Sequence, residues 1–262
     1  MNSEKETTMN TVENKLKEAE RLIRQGADSE NMLKLLEIIG ITNMDIETIE
    51  SFRLWGDYLP RAKESPYSPE ERNLHILWEC IDRTPLGINC AFAIPFRSII
   101  AKNLFKSCGE GFIANEGCRF NYGKLIEVGN FVTWNHCCYI DSKGGVKFGD
   151  YSMVTEYSKI FTHGHSESNH MERTYSPVEI GEYAKIYTAS TILPGVKIGK
   201  GAVVATGAIV TKSVDDFTLV AGIPAKPVRD RKTEKGETEN LNHFTFDEKA
   251  FQPYGNYPDC LQ

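Results

Sequence analysis

The sequence predicts a mainly-β chain: a parallel β-helix of short strands, with an α-helical appendage before it and an extended loop interrupting it. Aliphatic residues recur every six positions at Ile180, Ile186, Ile192, Ile198, Val204 and Val210, and four positions after each stands Ala184, Ser190, Val196, Ala202, Ala208 or Val214, all small or β-branched. The same beat runs upstream at Val128, Trp134 and Ile140, and again at Phe148, Val154 and Ile160 after a two-residue slip near Gly144 and Gly145. In the first ninety residues the beat is missing, and apolar residues fall at helical spacing instead.

Helical spacing covers residues 11–25, 30–39 and 44–59. Ser68, Pro69 and Glu71 then read as N-cap, first-turn proline and capping box of a helix running to about Asp82. Residues 1–93 are therefore expected to form a helical region, and they carry no catalytic motif. From residue 94 to 231 the period of six is too long for the alternation of one strand and does not fit an α-helical stripe. Each unit must hold a short strand and a turn, so that three units close one triangular coil. The aliphatic of each unit points inward and stacks on its counterpart about 4.8 Å away in the next coil. With aliphatics at about one position in five, six in register would arise by chance on the order of once in ten thousand trials. Gly129, Gly149, Gly181 and Gly199 stand beside the inward residues at a corner. The beat stops between Ile160 and Ile180, so residues 166–179 are expected to leave the coil as a loop. Residues 232–262 form a tail marked by Phe244, Phe246, Phe251, Tyr254 and Tyr257.

Composition narrows the function. The polar start lacks the apolar stretch of a signal peptide, and no later apolar run could cross a bilayer, so a soluble, cytoplasmic protein is expected. The seven cysteines at 80, 90, 108, 118, 137, 138 and 260 are odd in number and form no CxxC pair, which favours reduced thiols over zinc or dithiol chemistry. A net charge of −6 argues against a general nucleic-acid binder. Yet residues 185–235 hold nine Lys or Arg against four acids, a basic zone that suits a small polyanionic ligand or a lysine-rich solvated face.

These repeats resemble those of the hexapeptide acyltransferases, and the stretch from Ile180-Gly181 through Thr211-Lys212 to Ala221-Gly222-Ile223-Pro224-Ala225-Lys226 is similar to the C-terminal half of the galactoside and maltose acetyltransferases. The resemblance implies a left-handed coil, an exception to the right-handed crossover rule. It also implies a homotrimer that transfers an acetyl group from acetyl-coenzyme A to a small acceptor, a sugar hydroxyl first, with an amino sugar or a xenobiotic as alternatives, and without metal. Ile160-Phe161-Thr162-His163-Gly164-His165 resembles the segment carrying the family's catalytic histidine. The aligned residue is His165, with His163 as the alternative and Glu172 as the carboxylate that orients it. By the same resemblance Thr188, Thr206, Thr211, Lys212 and Arg229 would hold coenzyme A between subunits, and Asn135 and Asp141 would face the acceptor. Two other readings stay open. His165 and His170, with His136 as a third ligand, resemble the spacing of a γ-class carbonic anhydrase, and left-handed β-helices also serve as non-catalytic scaffolds.

Overall fold

The structure, a computed structural model, describes residues 2–233 and 238–242, so the aromatic tail residues named above lie outside the described residues. The chain divides into two compact units, one reaching to Leu104 and one beginning at Phe105. The first unit is helical: α1 (Asn2–Gln25), α2 (Ser29–Ile38), α3 (Ile46–Ser51), α4 (Arg61–Glu64), α5 (Pro69–Ile81) and α6 (Cys90–Leu104). Helix α1 buries Leu16, Ala19, Leu22 and Ile23, and α2 buries Met32, Leu35 and Leu36, the one-faced spacing of amphipathic helices. The expected capping box is present: Ser68 Oγ accepts from Glu71 N at 3.1 Å, and Glu71 Oε2 accepts from Ser68 N at 2.9 Å.

Two expectations for this unit are corrected. Residues 44–59 are not one helix: α3, capped by Asp45, stops at Ser51, and the chain then turns so that Asp57 pairs with Arg72 at 2.8 Å. At Gly56 the turn passes so close to Tyr67 that an added Cβ would lie 2.3 Å from the Tyr67 hydroxyl oxygen. The helical region also ends at Leu104 rather than near residue 93, because Phe92, Phe96, Ile99, Ile100 and Leu104 are buried at helical spacing along α6. No helix among the described residues is long and apolar enough to cross a membrane.

The second unit is the left-handed parallel coil. Its first face stacks Ser107–Cys108, Ile126–Val128, Val146–Phe148, Val178–Ile180 and Lys197–Ile198. The second stacks Ile113–Ala114, Thr133–Trp134, Met153–Val154, Lys185–Ile186, Val203–Val204 and Thr218–Ala221, and Lys226–Asp230 closes its edge antiparallel. The third stacks Arg119–Phe120, Tyr139–Ile140, Lys159–Ile160, Thr191–Ile192 and Ile209–Val210. Pairing is parallel and in register, Ile180 on Phe148 and Ile198, Ile186 on Val154 and Val204, Ile192 on Ile160 and Val210, so the six-residue beat is the three inner columns of the prism. All of these inner residues are buried. One coil precedes the beat, with Cys108, Ala114 and Phe120 filling the inner positions where no run of aliphatics announced it.

The corner glycines serve close approach. A Cβ on Gly181 would lie 2.7 Å from the carbonyl carbon of Gly199 in the next coil. Two residues after the glycine at this same corner the backbone is left-handed, and aromatic residues take that strain, where Phe131, Tyr151 and Tyr183 have φ of 55°, 57° and 57°. Their rings stack from coil to coil, with centroids 5.0 Å apart in both pairs.

Candidate active site

The polypeptide leaves the coil after Ile160 as a hairpin, His163–His165 paired antiparallel with Arg173–Tyr175, and is back in the first face at Val178. Its exit is fixed from below. Thr162 Oγ donates to the carbonyl of Asp141 at 2.6 Å and accepts from Gly144 N at 2.7 Å, while Ser176 N donates to the Thr162 carbonyl at 2.8 Å. The glycine slip at 144–145 thus provides the bend against which the hairpin starts.

Alternation along the strand puts His163 and His165 on one side, with ring centroids 5.4 Å apart. The exposed His165 donates from Nδ1 to the carbonyl of His170 at 3.0 Å, and its ring stacks on that of His170 at 4.1 Å. A carbonyl accepts only from a protonated Nδ1, so the neutral His165 imidazole has its lone pair on Nε2. His163 is more enclosed, and its Nδ1 meets Oδ2 of Asp141. Asp141 is fully buried, and its other oxygen accepts from Lys143 Nζ at 2.9 Å. Burial pushes the hydroxyl of neighbouring Tyr139 above its usual range, and the charge of Asp141 adds to the effect.

Two expected roles change accordingly. Asp141 was expected to face the acceptor; it is enclosed, and its carboxylate is occupied by His163 and Lys143. Glu172 was expected to orient His165; its carboxylate accepts from Asn169 Nδ2 at 3.0 Å instead, because the tight 166–172 turn, closed by Ser166 N on the Glu172 carbonyl, directs it along the loop. The backbone carbonyl of His170 takes its place. Lys143 and the His170 carbonyl gave no motif to read; coil stacking brings Lys143 and Asp141 under His163, and the short hairpin turn brings the His170 carbonyl to His165.

The remaining candidates divide between corners. Asn135 follows the second face, and its Nδ2 donates to Glu156 Oε1 at 3.0 Å. Thr188, in the coil beyond, donates to Glu156 Oε2 at 3.1 Å, and Thr206 lies exposed in the coil after that. Thr211 and Lys212 line a pocket of about 340 Å³ at the end of the coil, with Asp215, Thr218, Pro224 and Lys226. Arg229 is exposed on the edge strand. Lys185, expected only as part of the basic zone, is buried on the second face, where desolvation, with Arg231 nearby, pushes its amine down to about 7. Among the described residues no group of three or more His, Cys, Asp and Glu side chains is arranged to hold a metal ion.

The family model "Bacterial transferase hexapeptide (six repeats)" matches residues 177–212. A Saccharomyces cerevisiae protein provisionally named an acetyltransferase is 32% identical over 146 residues, covering 54% of this chain and 74% of its own length. The chain belongs to the hexapeptide-repeat acyltransferases. The galactoside O-acetyltransferase of Escherichia coli K12 is 28% identical, over 51% of this acyltransferase and 68% of its own length. Among solved structures, a hexapeptide-repeat acetyltransferase of Vibrio cholerae O1 biovar eltor complexed with acetyl coenzyme A superposes with a TM-score of 0.51 at 24% identity, covering 56% of this chain and 86% of that one. At that identity the likeness is one of fold.

Proposed function

We propose that the acyltransferase moves an acetyl group from acetyl-coenzyme A to a hydroxyl of a sugar or sugar-like acceptor, with His165 as general base. The observation that carries this reading is the 3.0 Å contact of His165 Nδ1 with the His170 carbonyl at the point where the hairpin leaves the coil, which directs Nε2 of a neutral imidazole to the acceptor's proton. Nε2 takes the proton of the acceptor hydroxyl as its oxygen attacks the thioester carbonyl. A C–O bond forms, the C–S bond breaks, and the departing coenzyme A thiolate takes the proton back from His165. Positioning and base catalysis suffice for this chemistry, with no covalent enzyme intermediate. The acetyl-coenzyme A in the Vibrio structure and the name of the galactoside relative support the donor and the acceptor class. A cytoplasmic location suits an enzyme that draws on coenzyme A thioesters.

His163 is then a positioning residue. Its pair with buried Asp141 ties the hairpin strand to the coil below and keeps His165 at a fixed height.

We assign the acyltransferase to a homotrimer, an assembly that would bring candidates at separate corners together. Asn135 and Thr188 stand at the corner between the second and third faces, while the histidine hairpin leaves the corner after the third. One prism offers each as an open wall, and a neighbouring copy supplies the opposite one. Light scattering of the dilute protein is expected to give about three times 29.5 kDa. A monomer with full transferase activity would contradict a shared groove.

Lys212 and Arg229 are assigned to the phosphates of coenzyme A, since both are exposed cations in the C-terminal coils. Alanine at either is expected to weaken coenzyme A binding about five- to tenfold at low salt, with acceptor KM little changed, and the loss should shrink as salt rises. Titration calorimetry at two ionic strengths checks this. Equal loss for both substrates would make these residues structural.

A further inference from the structure

We infer that Glu156 is the positioning residue of the acceptor turn, orienting Asn135 and coupling it to Thr188; the inference rests on the assignment of Asn135 to the acceptor made above. Asn115, Asn135, Thr155, Tyr187 and Ala205 open the turn between second and third faces in successive coils, and each donates its backbone N–H to the strand of the next coil. Glu156 takes the middle of its turn, and its two carboxylate oxygens reach in opposite directions along the stack. Oε1 accepts from Asn135 Nδ2 in the coil before (3.0 Å), and Oε2 accepts from the Thr188 hydroxyl in the coil after (3.1 Å). Thr188 Oγ also lies 3.2 Å from Thr155 Oγ. A single half-buried carboxylate therefore joins three coils by side chains alone.

The chemistry of the amide gives this its consequence. A carboxylate can only accept, so it holds the carboxamide of Asn135 with Nδ2 inward and leaves Oδ1 as the group offered outward. An outward Oδ1 accepts from an acceptor hydroxyl. A carboxamide free to flip would present Nδ2 about as often and lose that selectivity. The same bond fixes Thr188 as a donor to Glu156, so its hydroxyl can meet a bound molecule only as an acceptor. Glu156 thus sets the hydrogen-bond polarity of one candidate residue on the acceptor side and one on the coenzyme A side.

The test combines kinetics with crystallography of the intact protein. Glu156→Ala is expected to raise acceptor KM about tenfold, roughly one hydrogen bond, with kcat within about twofold of wild type. Asn135→Ala should raise it equally, and the double variant should be no worse than either single one. Glu156→Gln should recover most of the loss, because its Oε1 still accepts from Asn135 while its amide donates to the rotatable Thr188 hydroxyl. Additive losses in the double variant, or a fall in kcat with KM unchanged, would overturn the inference. Crystal structures of wild type and Glu156→Ala give an answer without turnover: the Asn135 side chain should leave its wild-type rotamer or lose order, and an unmoved Asn135 overturns the role of Glu156. Absence of transfer by wild type to any acceptor would instead strike at the acyl-transfer reading, with the crystallographic comparison still deciding on Glu156.

Discussion

Trp134→Ala is expected to lower the stability of the protein by about 3–5 kcal/mol, the cost of emptying a large buried aromatic site. The ring is fully buried in the early coils and packs against Phe112, Phe148 and Phe105 at centroid distances of 5.0, 5.2 and 5.7 Å. The rings of Phe105, Phe112, Phe120, Trp134 and Phe148 crowd this end of the prism, where the later coils use one aliphatic per unit, so removing the largest of them leaves a cavity between rigid neighbours. Trp134→Phe should cost much less. The indole Nε1 is buried and makes no hydrogen bond to any described residue, and deleting it removes a penalty of about 1–3 kcal/mol that offsets part of the lost volume. Urea denaturation followed by circular dichroism reads both variants. An alanine variant within about 0.5 kcal/mol of wild type, the range of ordinary surface changes, would mean that this column does not bear the packing assigned to it.

The same column shows how far the sequence could be read. From Val128 to Val210 the period announced itself because every inner position carries a residue that β-structure favours and water rejects; beyond it the structure slips by two residues, so that Val214, four positions after Val210, is the residue that bridges to Ile198. The first coil stayed hidden since its inner positions are Cys108, Ala114 and Phe120, which fit behind large rings rather than repeating an aliphatic. The boundary at Leu104 was misplaced for a related reason. The segment from Phe92 to Leu104 is apolar on nearly every side, and such a segment shows neither period clearly.

His165→Ala is expected to reduce transfer by about 10²- to 10⁴-fold, the usual contribution of a general base. The melting temperature and coenzyme A affinity should stay near wild type, because the side chain is exposed and lies on the hairpin outside the coil's inner columns. His163→Ala should behave differently: it removes a partner from the buried Asp141 carboxylate, leaving Lys143 as its remaining named ion-pair partner, at a cost of about 1–3 kcal/mol in stability. Some activity should survive in that variant at low temperature. Steady-state rates and melting curves of the two variants, measured side by side, separate the roles. Full activity in His165→Ala with none in His163→Ala would move the base to His163 and make Asp141 its orienting carboxylate.

The histidines were legible because they stand at the break in the period, a place the repeat itself marks. Their partners were not. The resemblance marked Asp141 for the acceptor rather than for His163, nothing marked Lys143 or Glu156, and only the 20-residue spacing of the early coils, together with the glycine slip, sets Asp141 under His163 and Glu156 beside Asn135. Glu172 looked like the orienting carboxylate through the resemblance, but a short hairpin turns it away while the backbone of His170 reaches the ring.

The most direct measurement is thiol release from acetyl-coenzyme A by the purified protein against a panel of galactosides, glucosides and amino sugars. Release is expected to depend on the acceptor and to match, mole for mole, an acetyl group found on an acceptor hydroxyl. Release that never rises above the acceptor-free baseline with any of them, in a protein that is folded and binds coenzyme A, would contradict transfer to a sugar hydroxyl; acetyl found only on an amine would contradict the O-linked product.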